Sequence, residues 1–446
     1  MGIVGPTYAF DNLLFAAVNE PIGVANRVRM LTSGAEYRMF VTRPYNCPSE
    51  DPATAQVIYF DPTEAGHPEH PFALLNKPDG EAGCQVERYV DVSPGFGGFA
   101  PYRDHVFVTW GHKILRIPPD GCGSGSGCVA NFTTISECTE SHTGITFDPW
   151  GAFGYNMIVT CNNGKVFKVT SGGAATQLVD LHQPIESPGV AHPNFGACGG
   201  CVFVASETTG NIFAVRPDGT VFGGGPVANL PMAEAIHPIP VNVCNFGTSG
   251  GAFFTAIFSG VESTGVYQFP KTSFTMSGQP LNGNILVTSE SAETGISVLK
   301  PSGGGYALTP WHTPVGQNEG GDFCPRITLP PGQVQLKPDP PFNPKKVEVF
   351  KLLFYSSPTF RPLDIDTRTL RAGRIGNEDS LIICFPWPLN RDRVIDLVCL
   401  FDTEKAFGID DDHPTPPVPP VTRVFWSAFT VGSSPQEDPP LDGFGD

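Results

Sequence analysis

MIVTCNNGKVFKV (Met157–Val169) is an apolar strand, a polar turn holding Gly164, and a second strand that alternates apolar and polar residues. The phrase returns along the chain. It reads MFVT…QVIYF from Met39, VFVTWGHKILRI from Val106 and VFVASETTGNIFAV from Val202. It reads FFTAIFSGVESTGVYQF from Phe253 and NILVTSESAETGISVL from Asn284. Six such hairpins in one chain indicate a radial repeat of small antiparallel sheets.

Each copy follows a segment expected to be the innermost strand of its sheet. These begin at Asn19, Val90, Ser141, Ile185, Ala233 (AEAIHPIP) and Ser277 (SGQPLNG). The opening strand NLLFAAV (Asn12–Val18) is placed to pair into the last sheet and close the ring. At Pro325 the texture changes to a proline-rich stretch, and from VEVFKLLFYSS (Val347–Ser357) short alternating strands resume. The expected fold class is all-β, a six-bladed β-propeller plus a small C-terminal β-sandwich. The expected division is propeller 1–324, stiff linker 325–346, sandwich 347–432 and an acidic, mobile tail 433–446.

Composition narrows the class. Gly 51 and Pro 46 in 446 residues would fit disorder, but 33 Phe and 40% hydrophobic residues supply a core, so these breakers belong to turns. The charge balance is 27 basic against 44 acidic residues, net −17. A nucleic-acid partner requires a basic footprint, and the sequence has none. No apolar run is long enough for membrane insertion. An even count of 12 Cys with few lysines indicates an oxidised, secreted, extracellular or periplasmic protein. The opening MGIVGPTYAF carries no signal peptide, so an exported chain has had one removed or replaced. Cys122 and Cys128 flank GSGSG and are placed to close it; Cys198-Gly-Gly-Cys201 precedes a strand and reads as a loop disulfide. Cys384 and Cys399 sit in neighbouring strands and form the strongest candidate pair.

HTGITFDPWGAFGYNMIVTCNNGKVFKVTSGGAATQL (His142–Leu178) resembles a blade of exported bacterial β-propellers of the NHL/SMP-30-like kind, and the resemblance extends over about residues 15–310. DIDTRTLRAGRIGNEDSLIIC (Asp364–Cys384) and LNRDRVIDLVCLFDTEKAFG (Leu389–Gly408) resemble a small module at the ends of bacterial secreted proteins. That likeness implies a β-sandwich with Cys384 near Cys399. Arg391 and Arg393 stand where that module has Gly, so it transfers no cation site to this loop. SMP-30-like relatives include metal-dependent lactonases and lyases, and others are plain binding scaffolds.

Polar residues on innermost strands converge on a propeller axis. Glu20, Glu186 and Glu234 are the metal candidates there, for Ca²⁺ or another divalent cation, with His192 and His237 a few residues on. His142 would be the general base if the chain is a lactonase-like hydrolase or lyase. The opposing reading is that such residues cap strand ends. Asp410-Asp411-Asp412-His413 offers a weak Ca²⁺ loop whose plainer reading is a solvated turn. No phosphate-binding loop or dinucleotide fingerprint occurs. The expected function is therefore a non-catalytic extracellular binding or assembly module. Its partner is a protein or glycan at the cell surface, or the chain itself in self-assembly. The metal-dependent enzyme is the alternative.

Overall fold

A computed structural model describes residues 14–31, 34–44, 56–75, 87–95, 97–138, 142–240, 243, 251–260, 264–291, 294–312, 316–324, 327–328, 334–338, 343–355, 365–373, 380–387, 389, 396–407, 424–430 and 441–445. The chain divides into two compact units. The first is Met1–Arg27, Tyr37–Pro240 and Gly247–Cys324; the second is Val28–Glu36, Val241–Phe246 and Pro325–Asp446.

The first unit is a β-propeller, with six four-stranded antiparallel sheets among the described residues. The innermost strands are Val24–Leu31 (blade 1), Val90–Val92 (blade 2), His142–Phe147 (blade 3), Gly189–Val190 (blade 4), Ala233–Pro238 (blade 5) and Gln317–Phe323 (blade 6). The repeated phrase supplies the middle pair of each blade, and its burial explains its pattern. Met157–Cys161 and Val106–Trp110 are buried at every position, because the interior of each blade is covered on both faces. Their hairpin partners, Lys165–Val169 and Lys113–Ile117, are partly exposed at their two polar positions and buried at the rest. In the 157–169 hairpin the turn needs Gly164, which has φ 89° and whose Cβ would lie 2.7 Å from the Gln183 carbonyl.

Contacts between adjacent blades run round a closed ring. Thr42 Oγ1 donates to the Arg88 carbonyl between blades 1 and 2. Asp91 of blade 2 accepts from the Phe147 N–H of blade 3 at 3.0 Å. A Cβ on Gly144 of blade 3 would meet Ser187, which leads into blade 4, at 2.5 Å. Ile236 N–H of blade 5 bonds the Ser187 carbonyl, and Asn318 of blade 6 donates to the Ser289 carbonyl of blade 5 at 3.2 Å. The ring closes where Asn26 N–H donates to Asp322 Oδ2 at 2.7 Å and Gly320 N–H to the Ile22 carbonyl at 2.9 Å.

Blades 5 and 6 correct the expected order. Ala233–Pro238 does not pair with the hairpin that follows it in sequence; it pairs with Ile285–Ser289. The intervening hairpin, Gly251–Ser259 with Gly265–Pro270, belongs to blade 6, whose outermost strand is Leu14–Ala17. The innermost strand of blade 6 is Gln317–Phe323, not the segment at Ser277. Within that segment Gln279–Pro280 forms a separate two-stranded hairpin with Thr275–Met276.

Among the described residues the second unit holds two four-stranded sheets. One contains Val334–Lys337, Val349–Phe354, Asp396–Asp402 and Leu381–Trp387; Phe350 stacks on Phe401 at 5.1 Å in its buried face. The other contains Ile327–Thr328, Leu441–Gly445, Val424–Thr430 and Ile365–Gly373. The proline-rich stretch expected as a linker thus supplies two strands, because its Val334 and Leu336 are apolar on one face and bury there. The acidic tail likewise supplies Leu441–Gly445, paired with Val424–Thr430.

Disulfides join Cys122–Cys128, Cys138–Cys161, Cys198–Cys201 and Cys384–Cys399, and Cys324 is also disulfide-bonded. Several disulfides indicate an extracellular or periplasmic protein. Among the described residues no helix is long and apolar enough to cross a membrane.

Candidate metal centre on the propeller axis

The start of each innermost strand faces one end of the axis, and glutamates collect there. Glu186, Glu234 and Glu319 are buried, at 7%, 2% and 1% exposure. Glu87, Glu207 and Glu290 are half-buried around them. Carboxylate oxygens of Glu87, Glu290 and Glu319 all lie within 4.8 Å of one another. Two oxygens each about 2.4 Å from a Ca²⁺ can be at most about 4.8 Å apart, so these three can share one ion.

The polar bonding in the cluster is incomplete. Tyr89 O–H donates to Glu234 Oε1 at 2.6 Å and lies 3.0 Å from Glu87 Oε2. Gln317 Nε2 donates to Glu290 Oε1 at 2.6 Å. Both Glu319 oxygens and Glu186 Oε2 are buried without a hydrogen-bond donor. Glu290 stands against Glu319, but two carboxylates bond only by sharing a proton.

Burial, followed by the neighbouring carboxylates, holds Glu186, Glu234 and Glu319 well above the usual carboxylate range. Burial also raises Glu87, and it pushes Glu207 up to about 7 with help from Glu290. Among the described residues, the charges that raise Glu186, Glu234 and Glu319 come from other glutamates. A buried group of like charges is relieved by protons or by a metal cation. The donor set is all oxygen, which suits Ca²⁺, Mg²⁺ or Mn²⁺ rather than a softer ion.

Of the residues expected on the axis, Glu186 and Glu234 come together. Glu20 lies in the turn before blade 1 with φ 49° and is not in the set formed by Glu87, Glu290 and Glu319. His142 opens blade 3 in register with Cys161, and its side chain lies outside the described residues. His192 caps a turn, its Nδ1 accepting from Asn194 N–H at 3.2 Å, with its ring edge-on to Trp150. His237 lines the other end of the axis, where burial pushes its imidazole down to about 3. Asp410–His413 lie outside the described residues.

Glu87, Glu207, Glu290 and Glu319 carry no motif. Glu319 had one legible signal, its place at the start of an innermost strand, but QNEGGDF lacks the apolar pattern that marks a strand. Beyond the Tyr89 ring the axis opens into a cavity of about 100 Å³, lined by all six innermost strands or their approaches, with Tyr89, Asp91, Asp322 and His237 as its ionisable groups.

No protein-family model and no curated protein matches the sequence. Solved structures match the fold at low identity. A streptogramin B lyase is 12% identical, over 70% of this chain and 89% of that one, with a TM-score of 0.36. A nidogen/laminin complex is 11% identical over 68% and 85%, with a TM-score of 0.40. The PQQ-bound aldose sugar dehydrogenase of Streptomyces coelicolor is 11% identical over 87% and 97%, with a TM-score of 0.39. Enzymes and a binding complex stand together in that set, so the likeness does not divide the two functions.

Proposed function

We propose that this is an extracellular binding or assembly module, built on a propeller of the NHL/SMP-30-like kind with a C-terminal β-sandwich. A divalent cation, with Ca²⁺ the best fit, pins its axis through Glu87, Glu290 and Glu319. The partner would be a protein or glycan at the cell surface, or further copies of the chain. The observation that carries this reading is the closed axis. Tyr89 crosses it to Glu234, and the cavity beyond measures about 100 Å³. Small-molecule sites usually need at least about 300 Å³. An ion held behind that plug ties together loops and strands of blades 2, 5 and 6, which stabilises the ring.

One observation favours the alternative, a lactonase-like hydrolase or lyase. Glu207 is half-buried at the cluster's outer edge, and at about 7 its carboxyl sits where a general acid–base works best.

Metal analysis with a thermal melt tests the proposal. Ca²⁺ should bind and raise the melting temperature, by the equivalent of about 2.7 kcal/mol at a hundredfold excess over Kd. Glu319→Gln should lose that gain, and lactones should not be opened. A chain indifferent to Ca²⁺ and EDTA overturns the ion. Ca²⁺-dependent lactone opening that is lost in Glu207→Gln moves the reading to the enzyme.

A further inference from the structure

The protein leaves the coordination of its axial ion incomplete. Glu87, Glu290 and Glu319 each bring a carboxylate oxygen to one common point. Both oxygens of Glu319 are buried without a donor, so this side chain can chelate. Of the six oxygens in the set, Glu290 Oε1 is taken by Gln317 Nε2 at 2.6 Å, and Glu87 Oε2 faces the Tyr89 hydroxyl at 3.0 Å. Four remain, whereas Ca²⁺ surrounds itself with about six to eight. At least two positions are left for other oxygens.

Those positions lie toward solvent. Glu319 is 1% exposed and closes the inner side, while Glu87 and Glu290 are half-buried. Glu207, also half-buried, stands within hydrogen-bonding reach of Glu290 at the outer edge. The mouth of the axis therefore presents an ion short of oxygen and rimmed by carboxylates. Ionised carboxylates accept hydrogen bonds and donate none. A ligand that fits must give lone pairs to the ion and O–H groups to the rim.

A hydroxyl does both, and two hydroxyls on adjacent carbons fill two positions at once. A partner's Asp or Glu supplies the oxygens without the proton. Its charge also adds to three metal-binding carboxylates that already outweigh the ion by one. A phosphate or sulfate group fails on the same charge.

We infer that the partner is a neutral glycan, and that two adjacent hydroxyls of one sugar ring bind the axial ion while donating to Glu207. This rests on the reading that the ion binds. The edge of a sugar ring needs no deep pocket, so the closure of the axis by Tyr89 is compatible with it.

Chromatography of the full chain on beads carrying mannose and on beads carrying galactose tests this, with a Ca²⁺ melt run beside it. The two sugars present their adjacent hydroxyls in different geometries. Retention on at least one is expected in Ca²⁺, with release by EDTA. Periodate cleaves the bond between carbons bearing adjacent hydroxyls, so beads oxidised and then reduced should retain nothing. Glu207→Ala should bind the retained sugar about tenfold more weakly. The periodate arm needs no variant, and it decides the matter if Glu207→Ala does not fold. A chain that Ca²⁺ stabilises but neither bead retains overturns the glycan and leaves the ion standing. Retention that survives EDTA or periodate also overturns it, as does capture by poly-glutamate beads in place of the sugars, which makes the partner an acidic protein. Unchanged binding in a folded Glu207→Ala overturns the bond to Glu207. A chain that Ca²⁺ neither binds nor stabilises removes the ion and the glycan together.

Discussion

The Tyr89 hydroxyl reaches Glu234 Oε1 at 2.6 Å across the propeller axis, from blade 2 to blade 5, which stand opposite each other in the ring. The Tyr89 hydroxyl also lies 3.0 Å from Glu87 Oε2. One hydroxyl proton serves one carboxylate at a time, so the second bond requires a proton from Glu87. The ring below that hydroxyl also lines the cavity, so a single side chain both closes the axis and bonds the glutamates.

Tyr89→Phe separates these two roles. The ring keeps the axis closed, while Glu234 Oε1 loses its donor in a buried place. A buried polar atom left unsatisfied costs about 1–3 kcal/mol. Urea denaturation of the metal-free variant should show a loss of that size, and wild-type stability would mean that the bond contributes nothing.

Acidity should stabilise the metal-free protein. Burial and neighbouring carboxylates raise Glu186, Glu234 and Glu319, and burial raises Asp91 and Glu207 to about 7 from ordinary values of 3.8 and 4.5. Between the unfolded and folded values the folded chain binds more protons, so stability falls as pH rises. The contribution is complete below the unfolded values and is lost as pH rises through the folded ones, which lie near 7 for Asp91 and Glu207. Melts of EDTA-treated protein should drop steadily from about pH 5 to about pH 7.5, and saturating Ca²⁺ should flatten the slope. A metal-free melting temperature that climbs over this range would contradict the assignment.

Gly320 permits the close approach of the last blade to the first. A Cβ there would sit 2.8 Å from the Ile22 carbonyl and 3.2 Å from Gly23 Cα, both main-chain atoms with little room to shift. Gly320→Ala should therefore wedge the seam at a cost of about 1–3 kcal/mol. Unfolding of that variant against an alanine at the open position of Gly225, which has no atom near its Cβ, gives the comparison.

The repeat was legible because burial on both faces of a blade writes a continuous apolar strand, as in Met157–Cys161. The partner of each strand was less legible. Ala233–Pro238 reads as an innermost strand from its own residues, but nothing local says that its neighbour starts at Ile285 rather than at Gly251. The rule that sequential strands pair fails at this excursion. Glu186 and Glu234 could be read from their equivalent places in two blades. Glu207 and Glu290 could not, because they sit in turns and join the cluster only through the ring's closure. Glu319 was hidden by the missed strand, since Gly320 and Gly321 erase the apolar alternation that close packing at the axis forbids.

That closure depends on one carboxylate in a different role from the glutamates. Asp322 Oδ2 accepts the Asn26 N–H at 2.7 Å, and Asn26 in turn donates its amide to the Phe323 carbonyl at 3.1 Å. Asp91 makes the matching bond to Phe147 two blades further on, so the position serves as a latch between blades. Asp322 is held well above the usual carboxylate range, by burial first and by Asp91 next, so its charge is a liability while its oxygen is needed. Asp322→Asn keeps an acceptor and removes the charge, and should match or exceed the parent in metal-free unfolding at neutral pH. Asp322→Ala leaves the Asn26 N–H buried without an acceptor and should lose about 1–3 kcal/mol. Amide hydrogen exchange at Asn26 should rise in the alanine variant alone; equal exchange in both variants would show that the seam is held by the strand contacts and not by this latch.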